Sequence, residues 1–111
     1  MRYRRCRVTR PDPLEIRRMS VTVRGIEPRA RITLISSRRP VAGAKDDMVA
    51  VIVYRVGTDP VRRWGLVQRV GPVWSATLGL DPVTATQRAI AIARPEGTHA
   101  PAPAGGPDAG P

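Results

Sequence analysis

The chain has 111 residues, of which 41% are apolar and 4% aromatic, with no Phe; this is one domain at most, with a modest core of Val, Ile, Leu and Ala anchored by Trp64, Trp74 and Tyr54. Nineteen basic residues against nine acidic ones leave a net charge of +10, which suits an anionic partner such as nucleic acid or an acidic membrane surface. A single cysteine, Cys6, and a single histidine, His99, exclude an internal disulfide, a soft-ligand zinc or iron–sulfur site and a Cys–His nucleophile.

Residues 1–19 carry seven arginines and neither helical nor strand periodicity. Pro11 and Pro13 make "RPDP" an extended or turn segment, with room for a short helical turn from Leu14 to Arg18. The segment reads as a flexible basic arm. Arg2, Arg4, Arg5 and Arg7 are its densest charge, a means of gaining affinity for phosphates by counterion release without reading sequence. Two plainer accounts compete. Eighteen of the nineteen basic residues are Arg and Asn is absent, as a GC-rich coding sequence would give, and Met19 offers an alternative start directly before "SVTV". No apolar stretch follows the basic segment as in a secretory signal, and no run reaches the ~18 apolar residues of a membrane span, so a cytoplasmic location is expected.

From residue 20 the period changes to two. "VTVRGI" (21–26) and "RITLIS" (31–36) predict a hairpin turned at "EPRA", with Pro28 at its second position. A long polar connection, "SRRPVAGAKDD" (37–47), carries Arg38 and Arg39. "MVAVIVYRV" (48–56) is apolar on both faces, the pattern of a strand covered on both sides. After the turn residues Asp59-Pro60, "WGLVQRV" (64–70) sets Trp64, Leu66 and Val70 on one side and Gly65, Val67 and Arg69 on the other. Gly71-Pro72 turns the chain into "VWSATLGL" (73–80), with Trp74, Ala76, Leu78 and Leu80 facing in. Asp81 as N-cap and Pro82 as first residue then open a helix to Ala93, with Val83, Ile90 and Ala93 along its inner stripe and Ala89 and Ile92 beside it. Residues 95–111, rich in Pro, Ala and Gly, read as a disordered tail. The expected fold class is α+β: a small antiparallel sheet of three to five strands with one C-terminal helix packed on it over residues 20–94, flanked by disordered tails.

Enzymatic chemistry finds no support in these residues. Asp59 and Asp81 are accounted for by turn and cap, and the sequence has no Gly-rich phosphate loop. Asp46-Asp47 could hold a divalent cation through oxygen, but such a pair more commonly belongs to a solvated loop. No catalytic residue, metal or cofactor is assigned. Arginines are the stronger candidates. Arg62-Arg63-Trp64 can grip a phosphate and stack on a base, or be a solvated turn beside a core tryptophan. Arg69 would line a mildly basic, hydroxylated sheet face if Ser75 and Thr77 share it.

Over residues 48–94, three antiparallel strands followed by one packed helix, with Arg62, Arg63, Trp64 and Arg69, resemble the arm-binding domains of phage-type integrases and the plant AP2 domain. That likeness is one of element order, and implies a sheet laid into the DNA major groove. Val67 and Thr77 stand where those domains display basic and aromatic residues. The expected function is a small basic non-enzymatic module contacting DNA or RNA phosphates through Arg2, Arg4, Arg5, Arg7, Arg38, Arg39, Arg62, Arg63, Trp64 and Arg69. The alternative is a protein-interaction module that pairs through a sheet edge or apolar face with a partner protein or as a homodimer.

Overall fold

A computed structural model describes residues 10–94. They form helix α1 (Pro13–Ile26), strands β1 (Ala30–Arg38), β2 (Met48–Val56), β3 (Arg63–Val70) and β4 (Val73–Leu80), and helix α2 (Pro82–Ala93). The strands make a four-stranded antiparallel meander in the order β1-β2-β3-β4. This is the expected α+β architecture with a C-terminal helix on the sheet.

Residues 21–26 are not a strand. They are the second half of α1, and no hairpin precedes β2 except the one β1 itself forms with it. The helix starts at a capping box. The Glu15 N–H donates to Asp12 Oδ1 (2.9 Å), the Asp12 N–H donates to Glu15 Oε1 (3.0 Å), and Pro13 occupies the first turn. This arrangement satisfies two of the amides that a helix start leaves open. Met19 and Val23, four residues apart, are fully buried. That spacing outweighs the period-two run of Val21 and Val23, since Val21 faces solvent. The helix also crosses the expected boundary between arm and domain at residue 19.

The apolar character of β2 on both faces requires two covering layers, and both are present. Met19 and Val23 of α1 pack on Met48, Ala50, Ile52, Tyr54 and Val67, flanked by Trp74, Ala76 and Leu78. Ala85, Ala89 and Ala93 of α2 pack on Val49, Val51 and Leu66, with Trp64 and Leu80 at the margin. Two expectations change here. The inner stripe of α2 keeps Ala89 and Ala93 of the expected residues and adds Ala85, while Val83 and Ile90 are exposed; alanine lets the helix axis approach the β-branched strand closely. Leu80 does not share a face with Trp74, Ala76 and Leu78. A bulge places Leu80 opposite Trp64 and Leu78 opposite Gly65, with Gly79 at φ 76° as the extra residue. The bulge turns Leu80 to the α2 side. A glycine takes that positive φ without the strain a side chain would bring.

Of the 39–47 connection, Asp47 is the strut. Its carboxylate accepts from the Ala44 N–H (3.0 Å) and from the Gly71 N–H at the β3–β4 turn (2.8 Å). Asp46 beside it is exposed. Among the described residues no group of three or more His, Cys, Asp or Glu side chains could hold a metal ion. Nor is any described helix long and apolar enough to cross a membrane.

Candidate nucleic-acid interface

Arg2, Arg4, Arg5 and Arg7 lie outside the described residues. The six other predicted site residues are divided between the two ends of the sheet. Arg38, at the end of β1, and Arg69, at the end of β3, belong to the end formed by the start of β2. Arg62, Arg63 and Trp64 belong to the opposite end, where β2 finishes.

Several of these cations are already engaged. Arg39 donates to both carboxylate oxygens of Glu15 (2.9 and 3.1 Å), tying the loop after β1 to the first turn of α1. Arg63 pairs with Asp59 at 3.1 Å. Arg69 donates through Nε to the Gly71 carbonyl (2.8 Å), and its guanidinium lies 5.5 Å from the centroid of the Trp74 ring. The sharing of a face with Ser75 and Thr77 does not occur. Arg69 stands opposite Trp74, whereas Ser75 and Thr77 stand opposite Gln68 and Leu66 on the other face. At this end a cleft of about 440 Å³ mixes Glu15 and Asp46 with Arg18 and Arg69, a poor environment for a polyanion.

The other end differs. Arg31 of β1 is the Cα partner of Arg55 of β2, so two like charges stand directly across the ladder on one face, an arrangement that destabilises a sheet. The register that sets Tyr54 against Arg63 brings Arg62, one residue before β3, beside Arg55. The outcome is a row of three arginines, two on paired strands and the third just before β3. Adjacent strands lie about 4.8 Å apart, so the row spans about 10 Å. None of the three guanidinium groups has an ion pair or hydrogen bond among the described residues. With Thr33 and Val53 they line an open groove of about 470 Å³. The next row of the same face is Thr33, Val53 and Trp64, with Trp64 half-buried against α2.

Arg31 and Arg55 were not among the residues singled out by sequence. The signal that identifies them is register. "RITLIS" and "VYRV" each hold one inconspicuous arginine, and only strand pairing sets the two opposite each other.

Comparison of the chain with protein-family models, with curated proteins and with solved structures finds no match. The likeness to integrase arm-binding and AP2 domains therefore rests only on element order with Arg62, Arg63, Trp64 and Arg69, and the structure removes its mechanical implication. Those domains lay a free sheet face into the major groove; here α1 covers one face and α2 much of the other.

Proposed function

We propose that this chain is a small basic binding module that holds nucleic-acid phosphates through arginines. One observation carries the reading: Arg31, Arg55 and Arg62 form a row facing a groove, with no carboxylate to neutralise it among the described residues. Two like charges set face to face cost stability, and an anion bound between them reverses the sign of that cost. Guanidinium groups are suited to phosphate oxygens because their fork donates two parallel hydrogen bonds. Residues 10–94 hold fifteen basic and seven acidic side chains, a net of +8, so attraction for a polyanion extends over the folded part of the chain as well as Arg2, Arg4, Arg5 and Arg7.

Fluorescence anisotropy of the full chain with labelled oligonucleotides across a salt series tests this. Affinity should fall steeply with salt, and Arg55→Ala should lower the slope of log K against log salt by about one, as for the loss of one phosphate contact. An unchanged slope would remove Arg55 from the contact. No binding at low salt would leave the arginine excess to codon usage.

A second reading has its own observation. β4 is an edge strand of eight residues, VWSATLGL, with neither charge nor proline, and edges without such blocking residues accept another strand. In that case sedimentation would show concentration-dependent association, insensitive to salt and abolished by Thr77→Pro.

A further inference from the structure

We infer that the groove beside the Arg31–Arg55–Arg62 row takes an unpaired strand rather than a duplex, a step that rests on the phosphate-binding reading above. Steric access supports this. Both broad faces of the sheet carry a helix, so the described residues offer no flat β-surface to a duplex groove. What remains open on the α2 side is the strip holding Arg31, Thr33, Arg55 and Arg62, floored by the buried Val53. Its volume of about 470 Å³ lies in the range of small-ligand pockets, about 300–1,000 Å³, the scale of a nucleotide and far below that of a double helix. Chemistry points the same way. Charge and aromatic surface lie in successive rows of one face: the arginines at the rim, then Thr33, Val53 and Trp64. A phosphate held by the guanidinium groups puts its own base within reach of the next row, where Thr33 offers a hydroxyl and the part of Trp64 left uncovered by α2, at the margin of the groove, is the aromatic surface of that row. Stacking of this kind needs an unpaired base and tolerates any of them. A polyphosphate without bases would use the first row only.

The test compares the full chain on three labelled probes of equal length, oligo-dT, oligo-U and a mixed-sequence DNA duplex, at fixed low salt. Proteins carrying Arg55→Glu and Arg88→Glu are measured beside it. Arg88 is an exposed cation of α2, so the second variant makes the same charge change away from the groove. A Trp74→Phe background isolates the emission of Trp64. The single strands should bind about tenfold more tightly than the duplex, as expected for one stacked base. Arg55→Glu should weaken them at least about tenfold more than Arg88→Glu, and Trp64 emission should fall on binding. Equal affinity for duplex and single strands would overturn this inference and leave phosphate binding standing. Single-strand preference without quenching of Trp64, or with equal losses in the two variants, would overturn the placement in this groove. Failure of the full chain to bind any probe would overturn both readings.

Discussion

Arg55 faces Arg31 with no carboxylate between them, and exchange of Arg55 for glutamate makes a cross-strand ion pair from a repulsion. Arg55→Glu should therefore stabilise the fold by about 0.2–1 kcal/mol, read as a rise in melting temperature, while it weakens phosphate binding. A variant that gains stability as it loses binding is the mark of a residue kept for its ligand; a fall in melting temperature would show that the row is not under repulsive strain. Asp47 makes the opposite case. It bonds two backbone amides, one of them across the molecule at Gly71, and it is nearly buried. Asp47→Ala leaves both amides without their acceptor and should cost about 1–3 kcal/mol in urea unfolding, with Asp47→Asn retaining part of it. At Asp81 the bonds from the Thr84 N–H and then its hydroxyl hold the carboxyl below its ordinary value of 3.8. A depressed carboxylate contributes its stability above the unfolded value and loses it as pH falls through the folded one. The α2 cap should thus persist to pH below 3.8, visible as late loss of helical circular dichroism in an acid titration.

At the scale of elements, α2 depends on smallness. Ala85, Ala89 and Ala93 lie against Val49, Val51 and Leu66, and Ala89→Leu forces the helix off the sheet, an overpacking expected to cost about 1–3 kcal/mol in thermal or urea unfolding. Substitution at Val83 or Ile90, both exposed, should change little. All four strands and this helix were legible because each sequence run had a single reading. "MVAVIVYRV" could only be central, "VWSATLGL" alternated, and Asp81-Pro82 marked a helix start. α1 was missed because two periods overlap in "MSVTV". Val21 and Val23 suggest a strand, Met19 and Val23 a helix, and tertiary packing decides between them. The decisive signal lay earlier, in Asp12 and Glu15, whose spacing is that of a capping box. The apolar pattern of β2 held a second clue: a strand buried on both faces needs two covering layers, and the one recognised helix could supply only one. The bulge at Gly79 was not legible. Nothing in "TLGL" short of the pairing itself says which residue Gly79 displaces, and so the side Leu80 would take was read wrongly.

At the scale of the molecule, twelve of the nineteen basic residues lie within residues 1–39, and the fold redistributes that charge. Arg31 from that segment and Arg55 and Arg62 from beyond it meet at one end of the sheet. A charge count along the chain cannot see this, because it averages over the dimension that folding uses. With a net of +8 on residues 10–94, self-repulsion opposes the compact state. The melting temperature should rise as ionic strength increases from about 0.01 to 0.15 M, where the screening length shortens from about 30 to 8 Å.

α1 lies against β1 and also against β4, the two edges of the sheet. Each strand pairs only with its sequence neighbours. The seat of α1 on β4 instead joins the first element to the last strand, as the seat of α2 on β2 joins the last helix to an early strand. Contacts of that kind bear the largest chain-closure entropy and are satisfied late. The meander can thus assemble from successive hairpins, with the docking of Met19 and Val23 as the step that completes it. Truncating those side chains should then accelerate unfolding far more than it slows refolding.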